Sequence, residues 1–271
     1  MKILSGSELA GFIKERQAKA VRGLRQAHGV QPKLAIIVTV DNPIIEIYMR
    51  LKKNYGADIL VDVDIHRAKQ GEVLDLISSL NNDDSVHGII VQLPLADPAQ
   101  TEDILKAVLP AKDVDALGGE ALFDPATPTA ILWLLAGYGV DLPRKNVVLV
   151  GKGKLVGQPL LSMLEASKVQ VSAVDESVDV AEAVAHAEVI VTATGNPRLL
   201  TAKMIPQGCV VVDAGVAVEQ GKSVGDLADD VYERDDLTIT PKKGGVGPLT
   251  VCALFENVIK AAKHAAEIKI S

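Results

Sequence analysis

The run Val147-Val148-Leu149-Val150 has strand character and ends directly in Gly151-Lys152-Gly153-Lys154-Leu155-Val156-Gly157, which opens into a helical pattern at Gln158-Pro159. A strand that turns through glycines into a helix leaves the first N–H groups of that helix facing whatever lies above the turn, a ready site for a pyrophosphate. The spacing G-x-G-x-x-x-G is one residue longer than the usual dinucleotide fingerprint, so a tight turn without a ligand is the competing reading. Context favours the ligand. A second strand, Val169 to Val174, follows the helix and ends at Asp175-Glu176, about where an acid meets the adenosine ribose. Together they point to a nicotinamide dinucleotide held by Gly151, Lys152, Gly153, Leu155, Val156, Gly157, Asp175 and Glu176. Thr194, Gly195, Asp213, Gly215 and Val216, at the ends of the next two strands, complete the expected cofactor set.

The same strand–helix alternation runs through most of the chain. Helices are expected at 5–28 (capped by Ser5 or Ser7), from Pro43 to about Tyr55 with Gly56 as its end, at 72–81 and at 99–109. Strands are expected at 33–40, 59–65 and 86–92. Pro110, Gly118, Gly119, Pro125 and Pro128 then crowd into one crossover. Beyond it come a helix from Thr127 to about Gly139, strands at 146–150, 169–174, 188–192 and 209–213, and a final helix from Pro248 to about Lys269. The pattern predicts an α/β protein of two lobes. Residues 1–126, completed by the helix 248–271, form an N-terminal catalytic lobe, and 127–247 form a Rossmann-type dinucleotide lobe.

Composition narrows the function classes. With 271 residues, 48% of them apolar, the chain can bury a proper core. Its net charge of −7 and scattered basic residues argue against nucleic acid and against an anionic membrane surface. Cys209 and Cys252 sit far apart in apolar runs and read as buried free thiols. No secretory leader or spanning stretch is visible, which predicts a cytoplasmic protein. The five histidines lack ligand spacing, and no metal site is expected.

Outside the glycine turn, four places could carry chemistry. Tyr48 and Lys52 share one face of a helix, and a lysine beside a phenol in an apolar cleft can have its pKa lowered; a solvated surface pair is the alternative. Gln92, with Leu93 and Pro94, follows a strand at the end where open α/β sheets place ligands, though it could simply brace a turn. Lys112-Asp113-Val114-Asp115 reads either as a solvated loop or as part of the site. Gly244-Gly245-Val246-Gly247-Pro248 would let backbone approach a flat ligand closely.

In order, these segments resemble the bifunctional methylenetetrahydrofolate dehydrogenase/cyclohydrolase family over essentially the whole chain. The shared motifs are Tyr48-Met49-Arg50-Leu51-Lys52, Val91 to Leu95, Lys112 to Asp115, Gly151 to Pro159 and Thr240 to Pro248. The resemblance implies oxidation of 5,10-methylenetetrahydrofolate with a nicotinamide cofactor, then hydrolysis to 10-formyltetrahydrofolate. It implies Lys52 as the catalytic lysine, with Gln92 hydrogen-bonding it and favouring its less-charged state. Tyr48 would orient the folate and Asp115 would accept from the pterin. Leu93, Pro94, Gly245, Val246, Gly247 and Pro248 would line the substrate. It also implies a homodimer.

Several positions depart from the family pattern. Ile44-Ile45 replace the usual serine before the tyrosine, and Ala126 stands where a cysteine is usual. Lys242-Lys243 replace Val-Pro, either to meet a substrate's carboxylates or to face solvent. The Arg-Ser and His-Ser pairs of NADP-using members read Lys152-Gly153 and Asp175-Glu176 here, which favours NAD, because a carboxylate repels a 2′-phosphate. Two other functions stay open: a monofunctional NAD-dependent dehydrogenase, and a non-catalytic folate- or dinucleotide-binding regulator.

Overall fold

A computed structural model of the protein describes residues 1–175, 177–219 and 222–268. In chain order the elements are β1 (Lys2–Ile3), α1 (Gly6–His28), β2 (Lys33–Val38), α2 (Pro43–Asp58), β3 (Asp62–Arg67), α3 (Val73–Asn81) and β4 (Gly88–Val91). Next come α4 (Thr101–Lys106), α5 (Ala126–Gly137), β5 (Val147–Val150), α6 (Gly157–Ala166), β6 (Val171–Val174) and α7 (Val180–Val184). The chain ends with β7 (Val189–Thr192), β8 (Val210–Asp213), β9 (Ala217–Glu219), β10 (Lys222–Val224), β11 (Thr238–Ile239) and α8 (Val246–Ile268). These elements form two compact units: Met1–Ala10 with Thr127–Thr250, and Gly11–Ala126 with the chain from Val251 onward.

In the unit built on residues 11–126, β3, β2 and β4 form a parallel sheet in that order. Leu34 to Val38 are all buried, the unbroken apolar run of a strand covered on both faces. Ala35, Ile37, Val73, Ile77, Ile89, Val91 and Ile104 belong to one core. Helix α2 starts where the sequence predicts. Asn42 caps it by accepting the Ile44 amide at 2.8 Å, and Pro43 fills the first turn. It does not stop at Gly56. A Cβ there would come within 2.5 Å of Val63 Cγ2 and 2.9 Å of the Val61 carbonyl, so this glycine serves close packing inside the helix. The next strand begins three residues later than expected. Ile59 and Val61 are buried in the connecting turn, where Leu60 takes a φ of 67°, so an apolar run that reads as strand is spent on the turn.

The other unit carries a six-stranded sheet in the order β1-β11-β8-β7-β5-β6, with every neighbouring pair parallel. Val148, Val150, Ile190, Val211, Leu200 and Ile239 lie in its core. β1 pairs with β11, Lys2 opposite Thr238, so the first ten residues belong to this unit and not to the N-terminal lobe expected for 1–126. Two paired residues are too few to give a periodic signal. The antiparallel hairpin β9–β10, with three paired residues, has no periodic signal either. β6 lies on one side of β5 and β7 on the other, so the direction of winding reverses at β5. Open α/β sheets place ligands at the carboxyl ends of the strands beside such a reversal. α8 begins at Val246, two residues before the expected start; Pro248 falls in its first turn, where no intrahelical N–H bond is lost. Among the described residues no helix is long and apolar enough to cross a membrane, and no cluster of His, Cys, Asp and Glu could hold a metal ion.

Candidate active site

Four of the expected residues meet in the unit of residues 11–126. On α2, Ile45, Met49 and Gly56 make the buried face, and the helical repeat puts Lys52 in the same row. A charged residue thus occupies a core-facing position. Its Nζ donates to Gln92 Oε1 at 2.8 Å, while Gln92 Nε2 donates to the Leu93 carbonyl at 3.0 Å. That second bond fixes which end of the amide faces the lysine. Burial lowers the Lys52 pKa, and the charge of Asp115 partly offsets this. Burial raises the Asp115 pKa; Lys52 opposes the rise and Asp113 adds to it. An acceptor oxygen favours the ammonium form, so Gln92 opposes the less-charged state that the resemblance implied it would favour. Burial favours the neutral amine, and Gln92 and Asp115 pull the other way. Tyr48, one turn before Lys52, is 39% exposed, with its ring available to a ligand. The backbone holds Gln92 in place: its amide donates to Ile37 at 2.9 Å, extending the β4–β2 pairing past the strand end, with half-buried Leu93 and exposed Pro94 following.

The tetrad 112–115 divides its labour. Lys112 Nζ donates to the Leu80 and Asp83 carbonyls at 2.9 and 2.8 Å, satisfying the end of α3. Asp113 bridges to Ile89 alongside β4 and accepts the Gly118 amide at 2.7 Å, tying the following turn. Val114 is fully buried against Gly88, where a Cβ would sit 2.9 Å from it. Only Asp115 faces Lys52. Asn257 of α8 secures the segment by donating to the Val114 and Asp124 carbonyls at 3.0 and 2.8 Å.

In the other unit the expected cofactor residues gather at the carboxyl ends of β5, β7 and β8. Gly151 takes a φ of 107°, and a Cβ there would meet the Ala193 carbonyl at 2.6 Å. At Gly157 a Cβ would lie 2.0 Å from the Gly151 carbonyl, so the turn closes only over glycines. α6 follows without a side-chain cap; Gln158 donates its amide to the Gly153 carbonyl at 3.0 Å and Pro159 has none, so the N–H that the first turn can offer an outside acceptor is that of Gly157. Lys152, Gly153 and Leu155 are exposed and Val156 is half-buried. Gly195, with a φ of 70°, packs against the Val216 carbonyl, which joins the turns after β7 and β8. An uncapped ten-residue helix behind a glycine turn at the winding reversal fits a dinucleotide pyrophosphate. Lys152 and Asp175 pair at 3.3 Å, and Ser177 and Lys152 together hold the Asp175 carboxyl below its usual range. Glu176, the other acid expected here, lies outside the described residues.

The glycine segment before α8 belongs to this same unit. Gly244 accepts the Ser7 amide at 2.9 Å, and Thr240 Oγ1 accepts the Asp213 amide at 2.9 Å. A Cβ on Gly6 would collide with the Gly245 carbonyl at 1.8 Å, so the start of α1 rests on this turn. Val246 is buried, while Gly247 and Pro248 open α8. Lys242 pairs with Asp229 at 2.5 Å and lies 4.9 Å from the Tyr232 ring centre. It anchors the turn while remaining exposed, and Lys243 beside it is exposed as well.

Residues 4–115 match a family model described as the tetrahydrofolate dehydrogenase/cyclohydrolase catalytic domain, and residues 125–266 match the NAD(P)-binding domain of the same family. The chain belongs to the tetrahydrofolate dehydrogenase/cyclohydrolase family. A relative from Campylobacter jejuni, named bifunctional protein FolD, is 36% identical over 97% of this chain and 99% of its own length. A crystal structure of the bifunctional enzyme FolD from that organism superposes with a TM-score of 0.89 at 35% identity, covering 97% and 99% of the two chains. The Trypanosoma brucei dehydrogenase-cyclohydrolase, solved with NADP and an inhibitor, gives a TM-score of 0.90 at 28% identity over 97% of each chain.

Within the tetrahydrofolate dehydrogenase/cyclohydrolase scaffold, Tyr48, Lys52, Gln92 and Asp115 fall in the catalytic-domain match and the glycine turn in the NAD(P)-binding match. Sequence reading missed Thr192 and Asp226. Asp226 Oδ2 accepts the Thr192 hydroxyl at 2.6 Å and the Thr194 amide at 2.7 Å, across more than thirty positions of chain. Only a buried acid after the glycine Gly225 marks the place, and that pattern carries no local signal.

Proposed function

We propose that this protein oxidises 5,10-methylenetetrahydrofolate with a nicotinamide dinucleotide and hydrolyses the resulting 5,10-methenyl cation to 10-formyltetrahydrofolate. The observation that carries this is Lys52, held on a core-facing helix position with a lowered pKa and bonded to Gln92. Hydrolysis needs a base to take a proton from the water attacking the amidinium carbon. It then needs an acid to return a proton to the ring nitrogen as the C–N bond opens. The neutral fraction of Lys52 Nζ serves as the base. Gln92 Oε1 and Asp115 hold the ammonium so formed until it gives the proton to the departing nitrogen. Tyr48 stacks its ring on the folate, Asp115 accepts from the pterin's donor edge, and Leu93 and Pro94 shape the wall. The turn of Gly245, Val246, Gly247 and Pro248 lines the folate and cofactor. A bound nicotinamide supplies the acceptor for the hydride. The retained Lys52–Gln92 bond weighs against the monofunctional alternative.

The dinucleotide unit, residues 127–247 and their flanks, holds the cofactor through Gly151, Gly153, Leu155, Val156, Gly157, Thr194, Gly195, Asp213, Gly215 and Val216. NAD is the preferred form. Asp175 is ionised and already engages Lys152, so a 2′-phosphate meets a carboxylate and must compete for the nearest cation. The folate unit is residues 1–126, less the first ten, completed by the terminal helix. The protein acts in the cytoplasm as a homodimer. The test mixes purified protein with methylenetetrahydrofolate and either NAD or NADP. Reduced cofactor without accumulating methenyltetrahydrofolate is expected, faster with NAD. Accumulating methenyltetrahydrofolate would leave only the dehydrogenase, and equal or better efficiency with NADP would reverse the cofactor preference.

A further inference from the structure

Two acids, Asp213 and Asp226, stand together in the dinucleotide unit, and the chemistry above gives Asp226 no part. Asp226 is completely buried. Its Oδ2 takes both donors from the turn after β7, the Thr192 hydroxyl and the Thr194 amide. Its Oδ1 is buried with no hydrogen-bond partner and lies where a Cβ on Gly215 would come within 2.0 Å. Asp213, at the end of β8, mirrors it. Asp213 accepts the amides of Gly215, Asp226 and Leu227 at 2.9, 3.2 and 3.2 Å, and a Cβ on Gly225 would lie 2.0 Å from its Oδ2. Each carboxyl is thus seated on a glycine within two residues of the other acid. Burial pushes the Asp213 carboxyl up to about 6, with the charge of Asp226 adding to the rise.

A buried carboxyl oxygen without a donor is unfavourable, and an apolar residue of similar size would remove the cost. What that residue could not do is hold two turns in register at once. Asp226 clamps the Thr192–Gly195 turn with its accepting oxygen and abuts Gly215 with the other. Gly195 in turn packs on the Val216 carbonyl at the same junction. These are the turns beside the winding reversal, where the dinucleotide is expected.

We propose that Asp226 is a positioning residue for the dinucleotide: by fixing the Thr192–Gly195 turn against Gly215 it sets the surface that receives the cofactor. This rests on the dehydrogenase/cyclohydrolase reading. It separates the two activities, because hydrolysis of methenyltetrahydrofolate needs no hydride acceptor and uses side chains of the other unit.

The experiment compares the parent with D226A, D226N and T192V by calorimetric titration with NAD, steady-state oxidation, and hydrolysis of methenyltetrahydrofolate without dinucleotide. D226A should weaken NAD binding and raise its KM at least tenfold, leaving the folate KM and the hydrolysis rate unchanged. D226N keeps an oxygen for Thr192 and Thr194 and should recover most of the loss. T192V removes one of the two donors in a residue suited to a strand and should weaken NAD binding a few-fold. NAD affinity within twofold of the parent in D226A overturns the proposal. If D226A does not fold, unchanged NAD affinity in T192V overturns it. A parent that binds NAD but turns over no folate would overturn the functional reading instead, while the binding arm still decides the role of Asp226.

Discussion

Replacing Gln92 with leucine should move the pH–rate profile of methenyltetrahydrofolate hydrolysis toward acid by about one unit. Gln92 Oε1 accepts from Lys52 Nζ at 2.8 Å, and its amide nitrogen is committed to Leu93. A hydrogen bond from a charged donor contributes about 1.5–3 kcal/mol, against about 0.5–1.5 kcal/mol from a neutral one. The bond therefore favours ammonium over amine by about 1–1.5 kcal/mol, which at about 1.4 kcal/mol per unit is about one pKa unit. Without it the lysine, already lowered by burial, loses its proton at still lower pH, and the ascending limb of the profile moves with it. Q92E should do the opposite, because a carboxylate at that distance stabilises the ammonium further and starves the reaction of base at neutral pH. The assay follows the disappearance of methenyltetrahydrofolate absorbance across pH in the parent and both variants, corrected for the uncatalysed reaction. A profile that stays in place or moves alkaline in Q92L would refute the assignment of Lys52 as the base and of Gln92 as a brace on its protonated form.

Three further perturbations probe the rest of the arrangement. K52M should lower hydrolysis about a hundredfold or more. It should also change the pH dependence of stability. Lys52 opposes the raised pKa of Asp115, so without it the folded acid binds its proton more tightly than the unfolded one over a wider range, and stability relative to the parent declines as pH rises. Urea unfolding at about pH 5 and about pH 7.5 should show a decline of about 1.4 kcal/mol per unit of additional Asp115 shift; a pH-independent difference would show that the two groups are uncoupled. G56A places a methyl 2.5 Å from Val63 Cγ2 and 2.9 Å from the Val61 carbonyl. Overpacking of about 1–3 kcal/mol should outweigh a helix-propensity gain of just under about 1 kcal/mol, so a denaturation midpoint at or above that of the parent would contradict the close-packing role. G157A should abolish measurable NAD binding by calorimetry while sparing hydrolysis, since its Cβ would lie 2.0 Å from the Gly151 carbonyl; retained NAD affinity would mean that the turn is not the pyrophosphate site.

What the sequence disclosed was local. The Val147–Gly157 strand and turn, the capped start of α2 and the Tyr48–Lys52 row each depend on residues within a turn or two of one another, and spacing reports such features well. What it hid depends on distance along the chain. That the Gln92 oxygen meets Lys52 at all is a contact across 40 positions of chain. The roles of Lys112, Asp113 and Asp115 diverge only because α3, β4 and α2 surround them with different partners. Gly56 reads as a helix stop because its reason for being glycine, Val63, lies on the next strand. The pairing of Lys2 with Thr238 and the seating of Asp226 on Gly215 have no sequence signature at all.

Neither unit is a continuous stretch of chain, and this bears on how the protein comes into being on the ribosome. β1 waits for β11, which is made more than two hundred residues later. The 11–126 unit waits longer, because the helix partners that complete it, Asn257 beneath Val114 and Phe255 beside Gly56, lie midway along α8. A polypeptide emerging from its N-terminus ordinarily completes its first domain before the second is made. Here neither unit can close before the segments around Thr238 and Asn257 have been made. Cutting the gene at the 126/127 junction would therefore yield two incomplete pieces, each missing the segment that closes its core. A circular permutant that opens the chain elsewhere would let one unit assemble ahead of the other.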